Sequence, residues 1–123
     1  MVEYNIDGFY IFKSNLIIEG WAFSRQSMIK SIGVVIGSSI LYETSQWFLG
    51  KDVELVYGDI AKRCRFEIEV KVKSDEFSSI KIVFFMCDGS RFIVDNPGYK
   101  ARAAHDKNFV FANLIILLRK RPC

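Results

Sequence analysis

Apolar and polar positions alternate along most of this chain, as they do in β-strands. The clearest case is RFEIEVKVK, residues 65–73, where every second residue is apolar. Successive side chains of a strand point to opposite sides, so this pattern predicts one face in a core and one in water. The core residues predicted from this run and the next apolar run are Phe66, Ile68, Val70, Val72, Ile80, Ile82 and Phe84.

Two Asp-Gly dipeptides are the strongest turn signals. Asp88-Gly89 separates apolar runs at residues 79–87 and 90–95, which predicts a hairpin closed by a type I′ turn. Asp7-Gly8 lies between VEYNI and FYIFK and predicts a second hairpin of the same kind. With the apolar runs LIIEGWAF and IKSIGVVIGSSILYE, the set amounts to about seven short strands. The predicted fold is all-β, an Ig-like antiparallel β-sandwich followed by a C-terminal helix.

Two segments depart from the alternation. Residues 44–59 carry Thr44 and Ser45 as candidate helix caps and Gly50 and Gly58 as breakers, which predicts a long loop with a helical turn. After Pro97 the sequence becomes rich in Ala and basic residues and then runs apolar from 109 to 118, too short a run to cross a bilayer. The predicted domains are therefore a sandwich at 1–97 and a basic, apolar helical segment at 98–123.

Charge is distributed unevenly between these two parts. The 123 residues carry a net charge of +3, but residues 98–123 hold six basic residues against the single acid Asp106, a net charge of +5. The first 97 residues hold eleven basic and thirteen acidic residues, a net charge of −2. Phosphate binding needs positive charge clustered on a folded face, so we expect no nucleic-acid partner.

The residues that carry most catalytic and metal chemistry are scarce. Cys64, Cys87 and Cys123 have no metal-ligand spacing, and we expect reduced, mostly buried thiols. His105 is the single histidine, so no zinc site and no cofactor are expected. No nucleophile-elbow, P-loop, dinucleotide or zinc-protease motif occurs, which favours a protein that is not an enzyme. The acidic start MVEYNIDG is unlike a secretory signal, so the expected compartment is the cytoplasm.

Trp21, in LIIEGWAFS, is either a ligand-stacking ring or part of the core. It shares a face of its strand with Glu19 and Phe23, and Gly20 beside it would allow a bulge that turns the ring into the sandwich. Packing between the sheets is the favoured interpretation.

Trp47 lies in the irregular segment, among other aromatic and acidic residues. One interpretation is that it caps the open end of the sandwich. The other is that a flat aromatic surface beside carboxylates binds a sugar, whose ring has apolar faces and polar edges. The residues of this sugar site would be Trp47, Tyr42, Tyr57, Asp52 and Glu54.

The order EGWAF, IGVVI, GKDVELVYGD, CRFEIEV resembles the β-sandwich domains attached to bacterial glycosyltransferases and methyltransferases of surface-glycan biosynthesis. The resemblance covers roughly residues 9–95. Lys51 stands where those domains usually have proline, and Arg65 where they have glycine. Gly20, Trp21, Ala22, Asp52, Val53 and Tyr57 fit their pattern. The resemblance implies a non-catalytic accessory module that positions or supports a glycan-assembly enzyme.

Two functions follow as expectations. The first is this accessory or carbohydrate-associated module, whose sugar and partner enzyme the sequence does not name. The alternative is a structural self-association module without a ligand, which dimerises through the apolar C-terminal segment. As a helix, that segment would also suit docking to a catalytic domain, or peripheral membrane contact through Arg119, Lys120 and Arg121. Its predicted interface residues are Phe109, Phe111, Leu114, Ile115 and Leu118.

Overall fold

The structure, a computed structural model, describes residues 1–95, 97–98 and 119–120. Its strands are β1 (Val2–Phe12), β2 (Asn15–Ser24), β3 (Ile29–Ile36), β4 (Ser39–Thr44), β5 (Gln46–Trp47), β6 (Arg65–Lys71), β7 (Ile80–Met86), β8 (Arg91–Val94) and β9 (Arg119–Lys120). The helix α1 (Lys51–Tyr57) and two 3₁₀ turns, Asp59–Ala61 and Ser74–Ser79, lie among the described residues, and residues 97–98 are helical as well.

The strands form a two-sheet sandwich. One sheet has the order β1-β2-β6 and the other the order β4-β3-β7-β8, with every neighbouring pair antiparallel. These seven strands follow the order of an Ig-like domain, in which the first, second and fifth strands of the sandwich face the other four. The predicted all-β, Ig-like sandwich is confirmed.

The core lies between the two sheets. Leu16, Ile18 and Ala22 of β2 face Ile32 and other residues of the second sheet and are fully buried. Five predicted core residues, Phe66, Ile68, Ile80, Ile82 and Phe84, are buried there as well, whereas Val70 and Val72 are half-buried at its edge. Alternation therefore identified the inward faces of β6 and β7 correctly.

The first hairpin differs from the prediction. Asp7-Gly8 forms no turn, because β1 continues through it with a register shift between Ile6 and Gly8. The turn lies at Lys13 and Ser14, which have φ values of 52° and 71°. Positive φ at both central residues is typical of the type I′ turn, so the predicted turn type occurs here, six residues later and without its usual Asn or Gly.

The Asp88-Gly89 hairpin is confirmed, but its turn type is different. Among its loop residues only Gly89 has positive φ, at 92°. The amide of Gly89 donates to the Met86 carbonyl, and the amide of Met86 donates to the Ser90 carbonyl. This is a three-residue loop, a type I turn followed by a left-handed glycine bulge, rather than a two-residue type I′ turn.

The irregular segment holds the predicted helical turn as α1. Neither Thr44 nor Ser45 caps it, since the helix begins after Gly50 without a side-chain cap. A Cβ on Gly50 would lie 2.7 Å from the Sγ atom of Cys64. The position before the helix therefore needs glycine because it packs directly against a buried cysteine.

Most of the predicted C-terminal helical segment, including the interface residues from Phe109 to Leu118, lies outside the described residues. Where the chain is described again, it is strand rather than helix: Arg119 pairs with Trp47, and Lys120 with Gln46, in an antiparallel ladder. The prediction of helix through 98–123 is therefore wrong at these two residues. Within the described part of the chain, no helix has the length and apolar character needed to span a membrane.

The cysteines only partly match the prediction of buried, reduced thiols. Cys64 keeps its thiol and is buried under α1. Cys87 is half-buried and disulfide-bonded, so the prediction is wrong for this residue.

Candidate ligand-binding groove

The outer face of the three-stranded sheet is divided into a covered half and an open half. Over the covered half, α1 and the turn after it bury Phe23, Val53, Ala61 and Cys64 in a second small cluster. Trp21 packs against this cluster, with its ring stacked 5.9 Å from that of Phe23. Trp21 is thus a packing residue, as favoured, but it lies outside the sandwich under α1 rather than between the sheets.

Gly20 explains why Trp21 keeps this direction. A Cβ at Gly20 would overlap the backbone oxygen of Asn5 and lie 3.0 Å from the ring of Phe66. Gly20 therefore points into the crowded core, and alternation sends the next side chain outward. The register shift occurs in β1, not at Gly20, so no bulge turns the Trp21 ring inward.

The open half of the outer face is a groove of about 490 Å³, a volume in the usual range for small-molecule sites. Tyr10, Phe12 and Ile17 form its apolar wall, and Phe12 is more than half exposed. The full lining is Tyr10, Phe12, Ile17, Glu19, Glu67, Ile68 and Glu69. The side chains come from β1, β2 and β6, so a rigid sheet holds them in place.

Two carboxylates face each other in the groove. Glu19 of β2 and Glu67 of β6 are direct partners across the antiparallel ladder, where side chains approach within about 5 Å. Glu19 is only 8% exposed, and its side chain makes no hydrogen bond or ion pair with any residue that the structure describes. Burial first, and then the charges of Glu67 and Asp7, raise the pKa of Glu19 from 4.5 to about 7. Burial also raises the pKa of Glu67.

Arg65 closes the end of the groove nearest α1. Its Nη1 donates to Asp7 at 2.9 Å, and its Nη2 donates to Asp52 in the first turn of α1. Asp7 also accepts a 2.6 Å hydrogen bond from the side-chain amide of Asn5. The guanidinium is therefore committed to two carboxylates outside the groove lining, and it fastens the covering helix to β1.

The other end of the groove lies near the Lys13-Ser14 turn. There the side-chain amide of Asn15 donates to Glu69 at 2.6 Å. Burial and the neighbouring Glu19, Glu67 and Glu69 raise the pKa of Tyr10, so its hydroxyl stays protonated and can donate. The groove therefore offers several acceptor oxygens, one phenolic donor and an apolar wall.

The sugar site predicted around Trp47 does not form as a site. Trp47 has no exposed surface and packs in the main core, edge-on to Phe66 at 6.0 Å. A ligand cannot stack on a ring that is enclosed on all sides, so the assignment of a binding role to Trp47 is corrected. Its role here is packing.

The remaining residues of that predicted site are dispersed. Tyr42 lies on the exposed edge strand β4 of the other sheet, and Tyr57 packs against Trp21 and Phe23 under α1. Asp52 is engaged by Arg65, which lowers its pKa even though burial opposes the shift. Glu54 is half-buried on α1. These five side chains do not converge on a common surface.

The groove uses residues that the sequence analysis did not select. Alternation placed Glu67 and Glu69 correctly on the outer, hydrated face of β6, where opposite charges ordinarily pair across a sheet. Glu67 instead faces Glu19, a residue of like charge. In the sequence, the alternation of β2 already places Ile17 and Glu19 on the same, outward face of the strand. This points to a groove only once β2 and β6 are known to be neighbours.

Among the described residues, no group of three or more His, Cys, Asp and Glu side chains has a geometry that could hold a metal ion. Comparisons of the chain with protein-family models, with curated proteins and with solved structures gave no match.

Proposed function

We propose that the chain is a non-catalytic accessory β-sandwich module, associated with glycan assembly, whose groove on the outer face of the β1-β2-β6 sheet binds a sugar. The observation that carries the proposal is the composition of this groove, with aromatic and apolar side chains on one side and carboxylates on the other. A sugar presents the complementary surfaces, since its ring has apolar C–H faces and its edges carry hydroxyl donors.

The aromatic side supports stacking. Phe12 is 56% exposed and lies beside the half-buried Tyr10. Both come from the end of β1, next to a tight turn, so their backbone positions are fixed. Rigid aromatic side chains bind at a small cost in conformational entropy, which favours recognition by a small domain.

The carboxylate side supports hydroxyl recognition. Glu19 and Glu67 stand on the strands rather than on loops, at directly opposed positions whose Cβ atoms lie about 5 Å apart. A bound sugar would donate hydroxyl hydrogen bonds to them and give Glu19 the partners it lacks among the described residues. Hydrogen bonds to an ionised acceptor are stronger than bonds between neutral groups, so these contacts would favour binding.

The test is a titration of the ¹⁵N-labelled chain with monosaccharides, followed by amide chemical shifts. The expected result is a set of perturbations around Tyr10, Ile17 and Glu19 that saturates with sugar. Tyr10→Ala should abolish them. Tyr42→Ala is the matched control, because it removes an exposed tyrosine from the other sheet and should leave binding unchanged. Shifts confined to β4 or α1, or no saturable shifts, would contradict the proposal.

A second candidate is a structural association module, and the edge strand β4 favours it. Ile40, Leu41 and Tyr42 are all exposed there, at 51%, 36% and 38%, and within the described part of the chain β4 has a sheet neighbour on one side only. Apolar residues on an open edge strand are a common contact for another chain. Light scattering after gel filtration distinguishes the candidates: a dimer that becomes a folded monomer in Leu41→Lys would favour association.

A further inference from the structure

We propose that the groove selects sugars that carry a protonated primary amine, with the ammonium group bound between the carboxylates of Glu19 and Glu67. This inference rests on the proposed function and narrows the class of ligand. Its basis is the imbalance of charge in the groove, together with one buried carboxylate that lacks a partner.

The charge balance is the first step. Glu19, Glu67 and Glu69 all line the groove, and the lining contains no basic residue among the described part of the chain. Neutral hydroxyl groups can donate to uncharged acceptors, so binding them does not require three carboxylates. A cation does benefit from them, because hydrogen bonds between ionised groups are about twice as strong as neutral ones.

The charge of Arg65 acts on both Glu19 and Glu67, but it does not outweigh the effects that raise their pKa values. Arg65 is held by Asp7 and Asp52 at one end. Lys13 lies at the other end, with its Nζ 5.3 Å from the centre of the Phe12 ring, and Lys71 is exposed at the rim, opposite Asn15. Lys13 shows that this aromatic wall accepts a cation at its outer side.

Glu19 is the second and independent observation. More than nine-tenths of its surface is buried, yet none of the described residues gives its carboxylate a hydrogen bond or an ion pair. It lines the groove directly opposite Glu67. Like charges at directly opposed positions destabilise a sheet, so when both carboxylates are ionised the pair is unfavourable unless something positive lies between its members.

Titration of Glu19 agrees with this geometry. Its raised pKa, about 7, means that it releases a proton near neutrality. The groups that face it are Glu67 and Arg65 from β6, and Asp7 and Tyr10 from β1. A bound ammonium would favour the ionised form of Glu19, so binding should be accompanied by proton release and strengthen as pH rises through this range.

The apolar wall decides between an amino sugar and a simple amine. Tyr10, Phe12 and Ile17 extend beside the carboxylates, and an amine without a ring would leave this surface uncovered. An amino sugar places its ammonium group and its C–H face on adjacent sides of one small molecule. An amino sugar can therefore contact the carboxylates and the apolar wall of the groove at the same time.

The experiment compares glucosamine, N-acetylglucosamine, glucose and ethanolamine by calorimetry and amide chemical shifts at neutral pH. Glucosamine should bind at least about tenfold more tightly than each of the other three, since one charge-assisted contact contributes on this order. Glu67→Gln should reduce the preference for glucosamine over glucose and leave the fold intact. Glu3→Gln is the control, because Glu3 is exposed at the opposite end of β1 and its substitution makes the same change in net charge.

Every other outcome of this experiment overturns one part of the two proposals. Equal binding of glucosamine and the two neutral sugars would overturn this inference and leave the proposed sugar binding in place. Ethanolamine binding as tightly as glucosamine, with no binding of the neutral sugars, would overturn sugar binding and retain recognition of the amine. Absence of binding by all four compounds would overturn both. An unchanged preference in Glu67→Gln would show that the Glu19–Glu67 pair is not the ammonium site.

Discussion

Glu19 on β2 lies directly opposite Glu67 on β6, so two carboxylates meet at a position where sheets ordinarily pair opposite charges. Glu19 is the more buried of the two, and its pKa is raised from 4.5 to about 7. The folded protein therefore holds this proton at a pH where the unfolded chain has released it.

Stability should consequently fall as pH rises. Below pH 4.5 Glu19 is protonated in both states, whereas between 4.5 and about 7 only the folded state keeps the proton. The stability that Glu19 contributes is present at low pH and is lost as pH rises through about 7. Glu19→Gln should flatten this dependence in thermal melts recorded across the range, and Glu3→Gln should not. Parallel pH profiles for Glu19→Gln and the unmodified chain would contradict the assignment.

Gly20→Ala should destabilise the sandwich by about 1–3 kcal/mol. The added methyl group would overlap the Asn5 backbone oxygen, which cannot move without disturbing the β1-β2 ladder. Urea unfolding measures the loss. Ser39→Ala, on the exposed strand β4, serves as the control and should change stability by less than about 0.5 kcal/mol. Equal losses of stability for the two substitutions would show that the β1 backbone moves to accommodate the added methyl group.

Ile68→Ala should cost about 2–5 kcal/mol, because Ile68 is buried between the sheets and its truncation leaves a cavity. Ile93 offers a matched control, since it belongs to β8 but is 53% exposed. Ile93→Ala removes the same atoms from a largely hydrated position and should cost less than about 1 kcal/mol. A loss below that value for Ile68→Ala would place this residue outside the core.

Arg65→Met should loosen α1 more than it destabilises the whole domain. Arg65 joins Asp7 of β1 to Asp52 of α1, so its loss releases the helix from the sheet. The expected result is faster amide exchange in α1 and a global loss on the order of 1 kcal/mol. Lys81→Met removes an exposed ion pair with Asp95, remote from α1 in the other sheet, and should leave exchange in α1 unchanged. Equal protection of α1 in all three proteins would argue against this role.

Replacing Lys13-Ser14 by Asn-Gly should stabilise the first hairpin by about 0.5–1 kcal/mol. Both residues have positive φ, which asparagine and glycine adopt more readily than lysine and serine. The same replacement at Gly37-Ser38 is a weaker test, because glycine already occupies the left-handed position there. A decrease in stability for the first substitution would mean that the side chain of Lys13 or Ser14 contributes more than the turn conformation.

The sequence predicted the sandwich and the inward faces of its strands because alternation of apolar residues follows directly from strand geometry. It misplaced the first turn because Asp7-Gly8, a strong turn signal, is used for a register shift, while Lys13-Ser14 carries no signal at all. The groove depends on which strands are neighbours. Glu19 and Glu67 are 48 positions apart in the chain, and local patterns contain no information on that pairing.

Trp47 illustrates a different limit. An aromatic residue in an irregular segment with acidic neighbours resembles a ligand site in sequence, yet the segment folds so that the ring enters the core. The same local composition serves either purpose. Only the path of the chain between β4 and α1 decides between them.

The division of the outer sheet face between α1 and the groove also bears on how such a module could diversify. The length of the segment between β5 and β6 determines how much of the face is covered, and this segment adds nothing to the hydrogen bonding between β1 and β2. One further helical turn would shorten the open surface, and a shorter segment would lengthen it, while the sandwich core stayed the same. Selectivity for short or long ligands could thus evolve through insertions and deletions at one surface segment, without compensating changes in the interior.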